Sequence, residues 1–403
     1  MRLNRIITCG LLVCAVNGCA TDDDCSLLGS CIDSKCVCNQ GWTGVACSRA
    51  DLQPLNISEG YQNASAASWG GRPIRAADGT WQLMATEITN HCPLILFEYN
   101  SQVVRAVSDA GPAGPYRHAE VVLPPFHHNP TFVGPTPDGY YLLFFIGANN
   151  VSGQVDCTHG IPDVPLPSSR PHRQNVDSNK YVTMAWAKDP VKGPWQQRVI
   201  LRDEQPQYNQ TSWHCSENNP TAVVLPNGTA VVMYRANGCV AGTTTAGEHL
   251  GIAVAQHWSG EYVRDANFVI APETSPNGKV NNEDPFMWVQ PLPDGTGQAW
   301  HIVNHQQSVG NVCGSPDAGH SCGAHWFARN PHGPWIMSPE PAYDENVTLV
   351  NGSAARFLTR QRPQLVFEDD GVTPAFLFTS GSFDGNNPDL SCFSHTYAHA
   401  FRH

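Results

Sequence analysis

The sequence predicts an all-β chain in which a small disulfide-rich module precedes a five-bladed β-propeller. Three observations predict this fold class. Six cysteines crowd into residues 19–47. A motif of polar residue, proline, strand, tight turn and second strand then recurs in five copies. Turn formers are frequent throughout, with 35 Gly and 32 Pro in 403 residues, which is typical of a fold made of many short strands.

Residues 1–18 are predicted to be a secretory signal peptide. A basic start at Met1–Arg5 precedes an apolar run at Ile6–Val16 and small residues near Gly18. The apolar run is too short to span a bilayer, and no later stretch is long and apolar enough. We therefore expect a secreted chain without a membrane span. The alternative is a buried N-terminal helix, which the cysteines behind it disfavour.

The composition is typical of an extracellular glycoprotein. Charged residues make up 14% of the chain, against about 25% in an average soluble domain, and the net charge is −12. This negative charge argues against nucleic acid as a partner. Several Asn-X-Ser/Thr sequons are expected to carry glycans. They are Asn56, Asn63, Asn150, Asn209, Asn227, Asn346 and Asn351.

The cysteine-rich segment is too short to bury an apolar core of its own, so disulfides must stabilise it. Its Cys residues allow many pairings, and their spacing alone does not select one. A zinc site is disfavoured because the segment has no histidine. The cysteines are Cys19, Cys25, Cys31, Cys36, Cys38 and Cys47.

The end of this segment, C-x-C-x8-C with a Gly41-Trp42-Thr43-Gly44 turn, resembles EGF-like domains. The resemblance implies an EGF-like domain at residues 19–48. It also implies the pairing Cys19–Cys31, Cys25–Cys36 and Cys38–Cys47. We expect loss of one bridge to unfold this module and to leave the propeller intact.

The repeats predict one propeller domain at residues 52–403. Each repeat joins its polar residue and proline to two strands through a turn, most often Asp-Gly or Asn-Gly. A Gly-Pro-aromatic turn ends three of them, at Gly114, Gly193 and Gly333. The segment Leu55–Tyr61 is predicted to supply an outer strand that closes the ring and removes its exposed edges. The repeats begin at Arg72, Asn129, Asn219, Asp284 and Arg362.

Two repeat sequences, Glu283–Phe286 and Arg360–Pro363, resemble the five-bladed propellers of the arabinanase–invertase superfamily, which include the family-43 glycoside hydrolases. The resemblance implies a partner that is an extracellular polysaccharide or a glycoprotein glycan. Family-43 enzymes place a base Asp in blade 1, a second Asp in blade 2 and an acid Glu in blade 3. Of these three acids, this chain has only the one in blade 3, Glu217. At the positions of the two Asp residues it has Trp69–Arg72 in blade 1 and His128-Asn129 in blade 2.

Side chains around each repeat's proline are predicted to meet at the propeller axis, which only the innermost strands face. Glycoside hydrolysis usually needs an acid and a second carboxylate as base or nucleophile. We therefore predict Glu217 as proton donor, with Glu283 and Asp284 as its partners. We also expect arginines of blade 5 to hold Glu283 ionised. The candidate substrate-binding residues are Arg72, His128, Asn129, Arg360 and Arg362.

Structural roles are the alternative for the carboxylates, with Asp284 accepting backbone hydrogen bonds and Glu283 in an ion pair. No cofactor or metal site is predicted, and an axial calcium ion is left open. The predicted function is that of a glycoside hydrolase-like protein, and the alternative is a catalytically inactive glycan-binding or adhesion protein. Seven later cysteines leave one unpaired or paired between chains, with Cys313–Cys322 and Cys215–Cys239 as candidate bridges.

Overall fold

The computed structural model describes residues 18–147, 154–162, 181–202, 213–237, 248–271, 273–275, 278–292, 295–308, 320–383 and 393–403. All of the predicted signal peptide except Gly18 lies outside these residues, as do the sequons at Asn150 and Asn209.

The N-terminal module contains a 3₁₀ helix, Asp22–Cys25, and two short antiparallel hairpins. Its disulfides are Cys19–Cys31, Cys25–Cys36 and Cys38–Cys47, with Cα–Cα distances of 5.7, 5.4 and 5.1 Å. The pairing implied by the EGF resemblance is therefore confirmed. The hairpin strands are β1 (Gly29–Ile32) with β2 (Lys35–Cys38), and β3 (Trp42–Thr43) with β4 (Arg49–Ala50).

The rest of the described chain forms five antiparallel sheets around one axis, so the predicted five-bladed propeller is confirmed. Blade 1 is β5 (Ala67–Arg75), β6 (Trp81–Ile88), β7 (Ser101–Ser108) and β8 (Arg117–Leu123). Blade 2 is β9 (His128–Val133), β10 (Tyr141–Ile146), β11 (Tyr181–Ala187) and β12 (Gln196–Arg202). Blade 3 is β13 (Cys215–Val224), β14 (Ala230–Asn237), β15 (Glu248–Ala255) and β16 (Val263–Arg264).

Blades 4 and 5 carry small additions to this plan. A short strand, β17 (Glu273–Ser275), pairs with the beginning of the first strand of blade 4. Blade 4 is β18 (Gly278–Pro291), β19 (Gln298–Ser308), β20 (His320–Ala328) and β21 (Ile336–Met337). A hairpin of β22 (Asn346–Thr348) and β23 (Ala354–Arg356) follows. Blade 5 is β24 (Thr359–Phe367), β25 (Pro374–Ser382) and β26 (His395–Ala400). The helical segments of blade 1, between β6 and β7, are a 3₁₀ helix (Leu94–Leu96) and α1 (Phe97–Asn100).

The segment before blade 1 lies against the outer strand of blade 5. Leu52 bridges Phe401 and Tyr61 bridges Thr396, both in antiparallel fashion. Tyr61 also bridges Tyr116 of blade 1. The chain start therefore joins the last blade to the first, as the sequence predicted, and covers an edge that would otherwise expose unpaired backbone groups.

Each innermost strand carries a β-bulge, where the register shifts against the second strand of its blade. The bulged residue has a positive φ, and a proline follows it in blades 2 to 5. Proline cannot donate a ladder hydrogen bond, so it is tolerated at a bulge. The bulged residues are Gly70 (φ 65°), Asn129 (54°), Asn219 (49°), Asp284 (51°) and Arg362 (52°).

The bulge corrects the repeat alignment in blade 1. The sequence pattern equated Arg72-Pro73 with Asn129-Pro130, but the strand register places Arg72 opposite Met84 and Thr131 opposite Phe144. Arg72 is thus the counterpart of Thr131, and Gly70 is the counterpart of Asn129. Pro73 caused the misalignment, because it does not directly follow the bulged residue as the prolines of blades 2 to 5 do.

The EGF-like module packs on blades 4 and 5 and shares their core. The Trp42 ring lies parallel to the Trp288 ring, with centroids 6.0 Å apart, and also contacts Phe401. Leu27 packs on Leu292 just after the innermost strand of blade 4. This module therefore lies at the end of the propeller where the innermost strands finish, whereas the bulges lie toward their beginnings.

Polar contacts reinforce this interface. The Ala50 amide donates to the Ala342 carbonyl at 2.9 Å, and Arg49 forms an ion pair with Asp344 at 2.5 Å. The EGF-like module has little core of its own and shares the core of blades 4 and 5. This shared core does not support the expectation that loss of one disulfide unfolds the module and leaves the propeller intact.

We predict that Trp42→Ala destabilises the whole described fold by about 3–5 kcal/mol, because it leaves a cavity in the shared core. Scanning calorimetry should show one transition at a lower temperature. Val45→Ala is the control, since Val45 is 74% exposed and should leave the midpoint unchanged. Two separate transitions, with that of the propeller unmoved, would contradict a shared core.

Two buried histidines lie beside this interface. His301 Nδ1 is 3.1 Å from His325 Nε2, and His325 Nδ1 is 2.8 Å from the Ser338 hydroxyl. Ser338 in turn donates to Ser26 of the EGF-like module at 2.9 Å. Burial lowers the pKa of His325 to about 3, and burial with the neighbouring His325 lowers the pKa of His301 well below 6.5. Both rings are therefore neutral in the folded chain near neutral pH.

A histidine whose pKa is lower in the folded chain than in the unfolded chain leaves the fold most stable above its unfolded pKa. The free energy of unfolding decreases as the pH falls below that value. We predict that each histidine lowers the free energy of unfolding by about 2 kcal/mol between pH 7 and pH 5, because the unfolded ring takes up a proton there. His325→Gln should remove part of this dependence in urea titrations, whereas exposed His159→Gln should not. Equal slopes for all three proteins would refute the assignment.

Candidate functional site

Arg362 lies at the propeller axis and connects four blades. Its Nη2 donates to the Asn129 carbonyl at 2.8 Å, the Thr131 hydroxyl at 3.1 Å and the Pro220 carbonyl at 3.2 Å. Its Nη1 lies 3.4 Å from the Asp284 carboxylate. Arg362 is 1% exposed, so this guanidinium is a buried cation surrounded by oxygen atoms of its neighbours.

Side-chain amides complete the ring around the axis. Asn129 Nδ2 donates to Asn219 Oδ1 at 2.6 Å, and Asn219 Nδ2 donates to Glu283 Oε1 at 3.3 Å. Asn and Asp tolerate positive φ better than most residues, which fits their place at the bulges of blades 2 to 4.

These contacts test whether an axial calcium ion fits. Carbonyl, hydroxyl and carboxylate oxygens are the ligands that calcium prefers, but those on the axis already bond to the Arg362 guanidinium. Ligand atoms of Glu283, Asp284 and His305 lie within 4.8 Å of one another. Arg235 lies 3.6 Å from Glu283 and adds a second positive charge there. The residues present therefore do not fit a calcium ion.

A cavity of about 200 Å³, the axial pocket, lies beside this ring. Each of the five blades contributes the residue that precedes its bulge: Trp69, His128, Asn218, Glu283 and Gln361. The remaining described lining is Leu94, Phe97, Asn129, Ile146, Asn219, Arg235 and Asp284. The bulge therefore both fills the axis and aims its preceding residue into the pocket.

The wall formed by Leu94 and Phe97 is held by a disulfide that the sequence did not predict. Cys92–Cys157 joins the loop after β6 to the segment at residues 154–162, with a Cα–Cα distance of 4.9 Å. Asn100 also donates to the Val155 carbonyl at 2.8 Å. The candidate bridges Cys313–Cys322 and Cys215–Cys239 each include a cysteine outside the described residues.

The two pocket carboxylates have different surroundings. Although burial raises the pKa of Glu283, Arg235 and His305 lower it below its ordinary value, so this carboxylate is ionised. Burial and the charge of Glu283 raise the pKa of Asp284 to about 6. The Glu283 side chain is 16% exposed and that of Asp284 only 3% exposed. Glu283 is therefore the carboxylate that a ligand in the pocket would meet.

The aromatic side of the pocket carries no charge at neutral pH. His128 stacks on Phe97 with ring centroids 4.5 Å apart. Burial and the Arg362 charge lower the pKa of His128 to about 3, so its ring is neutral. Together with Trp69, these rings provide flat apolar surfaces opposite amide and carboxylate groups.

Glu217 does not line the axial pocket. Its buried carboxylate bonds to both Nε and Nη2 of Arg264, each at 2.6 Å. Arg264 belongs to β16, the outermost strand of blade 3, and it also donates to the Arg202 carbonyl of β12. The carboxylate therefore points between blades 2 and 3 and away from the axis. Proton donation by Glu217 stays a prediction that this placement does not support.

Two of the predicted substrate-binding arginines also lie elsewhere. Arg72 donates to the Leu365 carbonyl at 3.0 Å and lies over the Phe286 ring, and burial lowers its pKa to about 10. Arg360 donates to the Asp344 carbonyl at 2.7 Å. Both bond to protein groups outside the axial pocket, so this placement gives them structural roles.

Arg235 and His305 are site residues for which the sequence analysis proposed no role. Both lie on second strands and face the innermost strand through the hairpin register, Arg235 opposite Asn218 and His305 opposite Glu283. Counting back from the tight turns pairs Arg235 with Asn219 and His305 with Asp284, because such a count does not include the bulge that shifts the register by one residue. The ion partner of Glu283 is thus Arg235, and not the blade 5 arginines that the sequence suggested.

We predict that Arg362→Met lowers the free energy of unfolding by about 3–5 kcal/mol at pH 8, because it leaves the buried Asp284 carboxylate unpaired. Arg117→Met is the matched control, since Arg117 pairs with Asp109 at 3.9 Å on the surface and should change stability little. Chemical denaturation measures both. Equal effects would contradict the role of Arg362 at the axis.

Comparisons with known proteins agree with this architecture. A family model described as the Teneurin-like EGF domain matches residues 21–50. A search of curated proteins found no match to the chain. No helix among the described residues is long and apolar enough to cross a membrane.

Several solved structures are similar to this chain. Zg3597, a family 117 glycoside hydrolase produced by the marine bacterium Zobellia galactanivorans, has a TM-score of 0.52 at 13% identity, over 88% of this chain and 90% of that chain. A protein of unknown function from Dyadobacter fermentans has a TM-score of 0.50 at 12% identity, over 87% and 100%. An endo-arabinase from Bacteroides thetaiotaomicron has a TM-score of 0.48 at 10% identity, over 88% and 98%. The chain thus joins a Teneurin-like EGF module to a five-bladed propeller that is similar in fold to the family 117 glycoside hydrolase Zg3597.

Proposed function

We propose that this chain is an extracellular carbohydrate-binding protein whose axial pocket holds a sugar unit of a glycan. The observation that carries the proposal is the pocket lining. Every blade sends one side chain into it, and aromatic surfaces face amide and carboxylate groups. Such a mixture suits a sugar ring, whose C–H faces pack on aromatic rings while its hydroxyls need donors and acceptors.

The polar groups of the axial pocket include both hydrogen-bond donors and hydrogen-bond acceptors. Asn218 and Gln361 offer amide donors and acceptors, and Glu283 offers an ionised acceptor. Asn219 donates to that carboxylate at 3.3 Å, and Arg235, which forms an ion pair with Glu248, lies 3.6 Å from it. A preorganised acceptor loses little entropy when it binds a hydroxyl, so Glu283 is the expected anchor of the ligand. The fold likeness to the family 117 hydrolase Zg3597 supports a carbohydrate ligand as an analogy.

The carboxylate geometry favours recognition over two-carboxylate hydrolysis. Hydrolases place their two carboxyl groups on opposite sides of the scissile bond, about 5–5.5 Å or 6.5–9.5 Å apart. Glu283 and Asp284 are neighbours on one strand, with ligand atoms within 4.8 Å. They are the only carboxylates among the described residues that line the pocket.

A second candidate function is hydrolysis by the Glu283–Asp284 pair. One specific observation favours it: the surroundings move the two pKa values apart, lowering that of Glu283 and raising that of Asp284. Such a split separates a base from an acid. In this case Asp284 would hold the proton and Glu283 would act as base.

Secretion and glycosylation belong to the same proposal. The predicted signal peptide at residues 1–18 and the three EGF disulfides support an extracellular location. Asn346 and Asn351 are exposed and suit glycan attachment. Asn63 suits it less, because its Nδ2 donates to the buried Glu87 carboxylate at 2.8 Å.

We predict that the chain binds defined oligosaccharides on a glycan array and that Glu283→Gln weakens this binding about 10- to 100-fold, through the loss of charged hydrogen bonds. Exposed Glu261→Gln is the control and should bind as the parent does. Affinities would be measured by calorimetry on the glycans that the array selects.

The same glycans and a panel of aryl glycosides would be assayed for turnover. Binding without turnover supports the primary proposal. Turnover that Glu283→Gln abolishes favours the hydrolase instead. If every glycan that the parent binds keeps its affinity in Glu283→Gln, both assignments to the axial pocket would be overturned.

A further inference from the structure

We propose that the chain carries a second saccharide site, in a cleft between blades 2 and 3 at the end of the propeller opposite the axial pocket. The cleft has a volume of about 280 Å³. We name it the blade 2–3 cleft. It is lined by Asp138, Tyr140, Met184, Trp186, Arg198, Trp258 and Ser259.

The position of the cleft follows from its turns. Asp138 lies in the tight turn that joins β9 to β10, and Trp258 lies in the turn that joins β15 to β16. Both turns lie at the end where the innermost strands finish. The cleft shares no residue with the axial pocket, so a ligand here would be separate from one on the axis.

Three aromatic rings shape the cleft. Trp258 is 3% exposed and forms its floor, with ring centroids 5.0 Å from Tyr140 and 6.3 Å from Trp186. Tyr140 and Trp186 are half-buried and keep part of their surface open. The ring planes are inclined by 50° and 56° to Trp258, so they form a concave apolar surface.

The polar groups of the cleft are held in place. Asp138 Oδ1 accepts hydrogen bonds from Trp258 Nε1 at 2.9 Å and from Thr136 Oγ1 at 2.6 Å. Asp138 Oδ2 has no hydrogen-bond partner among the described residues and lies 3.8 Å from exposed His257. Arg198 donates from Nη2 to the Gly260 carbonyl at 2.6 Å. One carboxylate acceptor and one guanidinium are thus fixed beside the aromatic surface.

This combination selects a neutral polyhydroxylated ring. The Asp138 carboxylate lies beside two cations, Arg198 and Lys188, whose Nζ is 5.2 Å from the Tyr140 ring centroid, so charges of both signs are present and neither gives a charged ligand a large electrostatic gain. The inclined rings offer contact to C–H faces, and the free carboxylate oxygen accepts from two hydroxyls. A proline-rich peptide would use the rings but would leave the carboxylate without donors, so a sugar fits the cleft better.

Three variants distinguish the two sites: Trp186→Ala in the blade 2–3 cleft, Glu283→Gln in the axial pocket and the control Trp81→Ala. Trp81 begins β6 at the same end of blade 1 and is likewise half-buried. An array of neutral oligosaccharides would be probed with each variant. We expect glycans whose binding falls at least 10-fold in Trp186→Ala and is kept in Glu283→Gln and Trp81→Ala. Axial ligands should show the reverse, so failure of one site is distinguishable from failure of the other.

A second measurement needs no variant. Addition of an array-selected neutral oligosaccharide should shift the indole N–H resonance of Trp258, because that N–H bonds to the carboxylate that receives the sugar. Identical array profiles for the parent and Trp186→Ala would overturn the proposal. So would a Trp258 resonance that moves with a proline-rich peptide and with no sugar.

Discussion

The buried guanidinium of Arg362 is the interaction on which the propeller axis depends. A five-bladed ring brings five innermost strands together, and the bulges of blades 2 to 5 place polar side chains at the axis. Unpaired carbonyls and a buried carboxylate would be costly there. Arg362 comes from blade 5 and bonds to groups of blades 2, 3 and 4, so one side chain satisfies oxygen atoms from three other blades.

This use of the axis determines what the pocket can present. Because the bulged residues bond to one another and to Arg362, the residues one position earlier face the cavity. They differ in every blade and include a tryptophan, a histidine and a carboxylate. The bulge is thus a constant feature of the backbone, and the residue before it is the variable feature that sets ligand chemistry. The EGF-like module packs at the far end of the blades, so it stabilises the ring without restricting entry to the axial pocket.

The sequence predicted the features that local chemistry determines. Cysteine spacing and its EGF resemblance gave the three disulfides, and the proline-turn repeats gave five blades with their closing segment. Features that depend on the direction in which a side chain points could not be predicted from the sequence. Glu217 precedes its bulge by two residues, and alternation along the strand turns it toward Arg264 and away from the axis. Arg72 was misassigned because its proline does not mark the bulge. The packing of Trp42 on Trp288 joins residues far apart in sequence, and neither the cysteine spacing nor the proline-turn repeats predict it.

A crystal structure of the chain grown with an array-selected oligosaccharide whose binding Glu283→Gln weakens tests the central claim most directly. The account predicts sugar density in the axial pocket, with a hydroxyl within hydrogen-bonding distance of the Glu283 carboxylate and a ring face against Trp69 or Phe97. It also predicts the Arg362 guanidinium, without a metal ion, among the oxygens of Asn129, Thr131 and Pro220. An empty axial pocket at saturating ligand, or a metal ion in the place of the guanidinium, would contradict it.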